Sequence, residues 1–500
     1  MEKKSFIVQV PDEPGALHKA ARIAKQYQAN IHRIHYNRKI DVNTVFFDIT
    51  ASNENYQKIQ HDLKELGYLQ TSLKPVGFLK FNVYLPHRAG ALFDFLNYLT
   101  SAKANIGFLD FDDETTSTPK LTVSLTLEES SRINSLLNQL KSQYPLEILE
   151  YDEEYSDLDD TIFYIVFAQK LREILGTAAD EFLMKLLKDI NHIVQELTRI
   201  GEEPRGVFDS VLLTGKTLKN STGEAFYANV QRIHLSDDVE LFCFQPPCGG
   251  NIFVLKNATE MFLIDTGYGI YHFDVQMMLQ KYGLGDADKL KKIYITHADA
   301  DHSGAAGYYD VNSFMHPGTW DIIKKANRAY GSVSETSILE GVYTKLINLF
   351  SDFNPPDDVT LISDKNYGKR NIFPIIDKFK IGGLEFEVLE SLGGHLHGQI
   401  YLLCPEEGVL FPADSLINFQ SLNTDRKKFN LLAKNLMTSV NVDGKLATRE
   451  RESLIELVNE LNKKLPGENR KCLICGGHGA VSVLSGDKLE TYGEMEHYKP

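Results

Sequence analysis

Between Tyr294 and Gly304 the chain reads Tyr-Ile-Thr-His-Ala-Asp-Ala-Asp-His-Ser-Gly, so His297, Asp299, Asp301 and His302 crowd into one short run. Imidazole and carboxylate at this density are ligand types for zinc, iron or manganese. They are also ordinary turn residues, and context has to decide between the two. Residues 290–295 ahead of them are β-branched and aromatic, as a buried strand is. Ser303-Gly304-Ala305-Ala306-Gly307 behind them is small enough for a tight turn and a helix packed closely on a sheet. The ligands therefore fall on a loop at the C-terminal end of a strand, where open α/β sheets place their chemistry. A metal loop is the better reading.

Further residues of the same chemistry follow downstream, each beside glycine or at the end of an apolar run. They are His395 after Gly394, Asp414 after Phe411-Pro412-Ala413, and His478 between Gly477 and Gly479. Leu263-Ile264-Asp265-Thr266-Gly267 precedes the first loop. Taken in this order, the motifs resemble those of the metallo-β-lactamase superfamily, whose signature loop is His-x-His-x-Asp-His. The resemblance runs from about Phe208 to the C-terminus. It implies an αβ/βα sandwich with two metal ions. His297, Asp299 and His395 would hold one, Asp301, His302 and His478 the other, and Asp414 would bridge them.

Asp299 departs from the common pattern, which has histidine there. A carboxylate hardens the ligand set and shifts preference from zinc toward iron, with manganese also open. Within the superfamily, flavodiiron-type proteins carry a carboxylate at this position, usually Glu, and reduce oxygen or nitric oxide. This chain is similar to their metal domain, but Asp is a carbon shorter. No flavodoxin-type domain follows His478, so a separate electron donor is expected. The resemblance implies a diiron centre that binds, reduces or senses oxygen or nitric oxide. The alternative is a hydrolase whose bridging hydroxide attacks a phosphodiester, ester or lactone, with Asp301 in the machinery. His397 stands where the related loop commonly has Thr-Pro, and is a candidate proton donor or supporting group. Tyr268 and Tyr271 are candidates for lining the pocket. Cys472 and Cys475, alone on a strand, read as core cysteines rather than a redox pair.

The first half of the chain carries no such chemistry, but it repeats itself. Pro11-Asp12-Glu13-Pro14-Gly15-Ala16-Leu17 recurs as Pro86-His87-Arg88-Ala89-Gly90-Ala91-Leu92, and Ala29-Asn30-Ile31 recurs as Ala104-Asn105-Ile106 at the same offset. Each copy reads strand, glycine turn, helix, strand, strand, helix, strand, the order of a ferredoxin-like βαββαβ sandwich. Strands are expected at 5–10, 31–36, 44–50 and 70–75, then at 78–85, 106–111, 120–127 and 147–151. Helices are expected at 17–27, 56–66, 92–104 and 130–143. The copies resemble ACT domains, small regulatory modules that often bind amino acids. The resemblance implies ligand contacts at Asp12, Gly15, Ala16 and Leu17, and at Gly90, Ala91 and Leu92, and a homodimer. A glycine there lets the backbone approach a ligand, and the helix N-terminus can receive a carboxylate. The second copy lacks the acid and proline of the first.

The expected organisation is 1–76 and 77–153 as the two modules, 154–206 as a helical connector, and 207–500 as the metal domain. Asp157-Leu158-Asp159-Asp160 suits a helix cap. Leu183, Leu187, Ile190, Val194 and Leu197 keep heptad spacing over about two heptads, too few for an independent coiled coil, so that helix is expected to pack on its own chain, with a subunit interface as the alternative. Residues 211–213, 226–234 and 239–244 alternate as antiparallel strands would. Residues 332–356 and 425–465 read as helical stretches that could wall the site. A chain of 500 residues is too long for one core. Its 43% hydrophobic and 24% charged content is ordinary for a folded soluble protein. A formal net charge of -15 argues against general binding to nucleic acid or anionic membranes. No apolar run approaches the roughly 20 residues of a membrane span, no secretory leader is evident, and five cysteines make no disulfide framework. A cytoplasmic, reduced protein is expected.

Overall fold

The computed structural model describes residues 2–11, 13–35, 44–68, 77–86, 88, 90–112, 120–127, 131–151, 160–362, 365–432, 438–465 and 470–500. The chain divides into two compact units, 1–191 and 192–500.

In the first unit, β1 (Glu2–Gln9), α1 (Ala16–Gln26), β2 (Asn30–His35), β3 (Thr44–Ala51) and α2 (Asn53–Glu65) follow the expected order. The strands pair antiparallel as β1-β3-β2. Val8, Val45, Phe47 and Ile49 alternate onto one face and meet Ala20 and Ile23 of α1 and Ile59 and Leu63 of α2. Asp12 and the strand expected at 70–75 lie outside the described residues. The second copy is β4 (Gly77–Tyr84), α3 (Ala91–Ser101), β5 (Asn105–Asp112), β6 (Lys120–Leu127), α4 (Ser131–Gln143) and β7 (Leu146–Tyr151). Its sheet order, β5-β6-β4-β7 and antiparallel throughout, is that of a split βαβ sandwich. Gly15 and Gly90 sit immediately before α1 and α3 with φ of 88° and 86°. The left-handed backbone turns each strand into its helix, and only glycine adopts it freely.

Two helices follow, α5 (Asp160–Leu175) and α6 (Asp180–Arg199), and the boundary between the units falls inside α6. Residues 157–159 of the expected cap lie outside the described residues. Leu183, Leu187, Ile190 and Leu197 are buried within the single chain, as a helix packed on its own chain requires. The residues 211–213, expected as a strand, belong instead to α7 (Pro204–Lys219). Three alternating residues cannot separate a strand from a helix. The decisive signals are Glu203, whose carboxylate accepts from the backbone amides of Arg205 and Gly206, and Pro204 in the first turn. Val207, Phe208, Val211, Leu212, Gly215 and Leu218 are then buried at helical spacing.

The rest of the second unit is a two-sheet sandwich. Its first sheet begins with β8 (Ala228–His234), β9 (Glu240–Gln245), β10 (Ile252–Lys256) and β11 (Met261–Ile264). Then come α8 (His272–Lys281), β12 (Leu290–Tyr294), the one-turn α9 (Ala300–Ser303), β13 (Ser313–Met315), α10 (Pro317–Lys325), α11 (Ile338–Phe350) and β14 (Val359–Leu361). β8 to β11 pair antiparallel, and β11 to β14 pair parallel. The second sheet comprises β15 (Lys369–Arg370), β16 (Phe373–Ile381), β17 (Leu384–Glu390), β18 (Ile400–Cys404) and β19 (Val409–Phe411). After α12 (Thr424–Leu432) and α13 (Gly444–Lys464) it continues through β20 (Leu473–Ile474), β21 (Ser482–Ser485) and β22 (Lys488–Thr491). The last strand, β23 (Glu496–Tyr498), returns to pair with β8 of the first sheet. β16 escaped the sequence reading because charges break its apolar run and its pairing with β17 slips between Ile375 and Asp377.

Leu241, Phe253, Phe262 and Ile264 of the first sheet face Phe386, Val388, Leu402 and Phe411 of the second across one core. On the far side of the second sheet, Leu454, Leu457, Val458 and Leu461 of α13 cover Tyr401, Leu403, Leu410 and Ile474. On the first sheet, Tyr282 at the end of α8 sets its ring edge against Phe244. Among the described residues, no helix is long and apolar enough to cross a membrane. Replacing Gly15 by Ala puts a Cβ on a left-handed residue and should cost about 1 kcal/mol locally. Amide exchange in α1 should then quicken about fivefold while α3 stays unchanged; equal rates in α1 would remove the argument from strain.

Candidate metal centre

Every histidine and carboxylate of the signature loop, and each of the three downstream residues, comes to one end of the sandwich. β12 delivers His297 and Asp299 on its following loop, and Asp301 and His302 ride on α9. His395 lies between β17 and β18, Asp414 in a short turn after β19, and His478 just after β20. The first sheet thus supplies four of these side chains and the second supplies three.

Asp265, at the end of β11, holds the first group in place. It is buried and has a left-handed φ of 58°, which Asp tolerates better than most residues. One carboxylate oxygen accepts the Thr296 amide at 2.8 Å. The other accepts the Thr296 hydroxyl at 2.7 Å and His302 Nδ1 at 2.8 Å. Because the Thr296 hydroxyl spends its proton on Asp265, it accepts from His297 Nδ1, 2.9 Å away. His395 Nδ1 donates to Asn441 Oδ1 at 3.0 Å. All three rings therefore spend Nδ1 on these partners and turn Nε2 inward, the edge that an ion would meet.

Those inward atoms have no protein partner. The Nε2 atoms of His297, His302 and His395 and Oδ1 of Asp414 are buried without a hydrogen bond. With Asp301 and His478 added, these residues form two groups, His297 with His395 and Asp414, and Asp301 with His302 and His478, each group's ligand atoms lying within 4.8 Å of one another. Ligands about 2.1 Å from a tetrahedral ion stand about 3.4 Å apart. His478 Nε2 lies 3.4 Å from Asp301 and 3.3 Å from Asp414, and His302 Nε2 is 3.3 Å from Asp414. The residues fit a pair of divalent ions.

The electrostatics agree. Burial, then His302 and His395, pushes the His297 imidazole well below its ordinary value, so it stands neutral with a lone pair to give. Burial opposes charge on His302 too, yet Asp414, Asp301 and Asp265 outweigh it and hold that ring well above its ordinary value. His478 is raised as well, burial again being overcome by Asp414. The carboxylates favour positive charge here, which a divalent ion supplies in place of protons. Glycines make room for the cradle. A Cβ on Gly477 would collide with Asp414 Oδ1, and one on Gly250 would meet His302 Cε1 at 2.5 Å.

Four supporting residues went unrecognised in the sequence. Arg328 bonds both oxygens of Asp299, Nε to Oδ1 and Nη2 to Oδ2, each at 3.1 Å. It also donates to the carbonyls of Ser439 at 2.7 Å and Val440 at 2.9 Å. Burial alone would raise the Asp299 carboxyl, but Arg328, then His395 and His297, hold it well below the usual carboxylate range. Glu450, fully buried on α13, accepts from Ser391 Oγ and from the Leu392 and Gly394 amides, which fixes the loop that presents His395. Asn441 orients His395, as described. Glu340 is buried in the first turn of α11, and burial pushes its carboxyl up to about 7, with Arg328 pulling the other way. No local motif betrays these residues, because each meets the site only through tertiary packing.

A cavity of about 490 Å³ opens beside the ligands. Asp299, Asp301, Arg328, His395, Asp414 and His478 line it, with Tyr268, Tyr343 and a largely apolar wall of Ile347, Ile417, Phe429 and Val440. Helices α11 and α12 and the segment before α13 thus wall the site, as residues 332–356 and 425–465 led one to expect. Tyr268 lines the cavity. Tyr271 does not: it is fully buried, bonded to Ser221 Oγ at 2.6 Å. His397 lies outside the cavity lining, its ring exposed and edge-on to His316 at 6.1 Å. Cys472 and Cys475 are free and buried, as core residues are.

The order of these motifs on a two-sheet sandwich, with the ligands at one end, is matched by a family comparison. Residues 245–478 form a metallo-β-lactamase superfamily domain. That membership implies a divalent-metal site, and the two ligand groups are its candidates in this chain. Solved structures similar to the chain include three metallo-β-lactamases. The one from Pontibacter korlensis is 16% identical, covering 51% of this chain and 93% of its own, at a TM-score of 0.31. That from Erythrobacter litoralis, with β-mercaptoethanol in its active site, is 14% identical, covering 51% and 91%, at 0.30. That from Hirschia baltica is 12% identical, covering 51% and 92%, at 0.30. No curated protein matches the chain. The assignment of the metallo-β-lactamase domain rests on the family match and the order of its motifs.

Glu340 makes the stability of this domain depend on pH. Its carboxyl is raised in the folded state, so the folded chain holds a proton there that the unfolded chain releases above about pH 4.5. Stability from this group is lost as pH rises from about 4.5 through about 7. Glu340→Gln should therefore stabilise the chain by roughly 2 kcal/mol at pH 8 and by little at pH 4.5. Denaturant unfolding at both values checks this, and equal effects would be the wrong outcome.

Proposed function

We propose that the metal domain is a dinuclear-metal hydrolase acting on an ester, lactone or phosphodiester with an apolar body. One observation carries this over an iron centre for oxygen or nitric oxide: both oxygens of Asp299 are bonded by Arg328. The sequence argument for iron rests on the negative charge that Asp299 adds. A bidentate guanidinium cancels that charge, and the pair presents the net charge that a histidine would. Divalent ions bound here would supply Lewis acidity and a water acidified toward neutral pH.

The chain's own residues do the rest. Asp265, Thr296 and Asn441 keep the imidazoles in the tautomer that leaves Nε2 free. Asp301 lines the cavity; it would help hold an ion and would accept the proton that the attacking water gives up. Ile347, Phe429 and Val440 take the substrate's apolar body and exclude bulk water. The diiron reading keeps one observation of its own. Asp299 Oδ2 is 3.3 Å from His395 Nε2 and 3.8 Å from His297 Nε2, so a lone pair remains within reach of an ion.

We propose further that the two N-terminal copies are amino-acid-binding regulatory modules acting within a homodimer. Support comes from the glycine turns at Gly15 and Gly90, which leave the first-turn amides of α1 and α3 without a side-chain cap. Ala16, Leu17, Ala91 and Leu92 begin the helices at these turns. Asp12, which the resemblance adds to these contacts, lies outside the described residues. Linkage requires the ligand to bind two states of the chain unequally.

Metal content of protein purified without added metal, with its optical spectrum before and after air, tests the first proposal. Zinc or manganese with ester, lactone or phosphodiester turnover that Asp301→Ala abolishes is the expected result. Iron with an oxygen-dependent visible band would overturn it in favour of the diiron reading. A thermal-shift screen of the twenty amino acids on the full chain tests the second. A rise of a few degrees with one of them at millimolar concentration is expected, and no response from any would leave the copies a structural role.

A further inference from the structure

The two halves of the ligand set are not equally charged. His478 and His302 face Asp301 and lie 3.3 Å from Asp414. That half has one carboxylate of its own and the nearer share of Asp414. The other half holds His297 and His395, and His395 Nε2 is 3.9 Å from Asp414. Its own carboxylate is Asp299, already paired on both oxygens with a buried guanidinium.

Arg328 does more than neutralise. It is bonded to the Ser439 and Val440 carbonyls, and the next residue, Asn441, holds His395 Nδ1. Val442 and Asp443 then donate their amides to the His395 and Gly394 carbonyls. One side chain thus ties Asp299 to the strip of cavity wall that orients His395. An ion arriving beside His297 and His395 therefore gains little attraction from Asp299, whose charge the guanidinium already meets on both oxygens.

We propose that Arg328 is a positioning residue that makes the centre load unequally: Asp301, His302 and His478 hold a tight ion, His297 and His395 hold a weaker, exchangeable one, and Asp414 faces both. This rests on the reading of the site as a dinuclear metal centre.

Equilibrium dialysis of the metal-free full-length protein against Zn²⁺ tests it. Two binding steps at least tenfold apart are expected. His478→Ala should remove the tight step, and His395→Ala only the weak one. Arg328→Met should tighten the weak step at least tenfold, because Asp299 then offers its full charge. Arg328→Lys keeps the positive charge and should leave that step weak, whereas a purely packing role would make Lys and Met behave alike. Equal affinities in the unaltered protein, loss of the tight step in His395→Ala, or a weak step that Arg328→Met fails to tighten would each overturn the inference. If Arg328→Met does not fold, the two histidine variants still decide the order of loading. Failure to bind zinc at all would instead overturn the metal centre itself.

Discussion

Everything at the candidate site depends on bare imidazole nitrogens being pointed at one another in a buried place. Left without an ion, such atoms are a cost, since a buried polar atom with no partner forfeits its hydration. The fold accepts this because hydrogen bonds on the opposite ring edges leave the rings no alternative pose. Asp265 is central: one carboxylate receives Thr296 and His302 together, and through the Thr296 hydroxyl it also fixes His297. β11, β12 and α9 meet at this carboxylate. The parallel pairing of β11 and β12 brings their C-terminal ends side by side, and the glycines around the ligands leave space for nothing larger.

Much of this was legible in the sequence. The seven ligand-type residues converge as their motifs imply, because each sits beside a strand end and strand ends are readable from apolar runs. The repeat was readable for the same reason, and its strands and helices lie within a few residues of expectation wherever the structure describes them. Arg328, Asn441, Glu450 and Glu340 were not legible. Each stands in a helix or connecting segment of ordinary composition, and each acquires its role from a partner far along the chain. Glu450, for example, meets Gly394 only because α13 folds back over the second sheet. The helix at 204–219 shows a smaller failure of the same kind. Its alternation suggested a strand, and the overlooked cap at Glu203 and Pro204 carried the answer.

Arg328 also changes what a motif letter means. Asp299 reads as an added negative charge when the loop is taken alone. In the folded chain its charge is shared with a guanidinium brought from the segment after α10. A ligand's identity sets which atom faces an ion, and the residues behind it set the charge that the ion feels. The metal preference of such a site therefore belongs to the pair.

The ligands come from both sheets, His297 and His302 from the first and His395, Asp414 and His478 from the second. A bound ion would act as a rivet between the layers, closing a loop of chain that runs from before β13 to beyond β20. A polypeptide that has formed only the first sheet holds half a cradle and retains an ion poorly. Metal capture would thus report that the sandwich has closed, and would bias the chain against reopening by mass action.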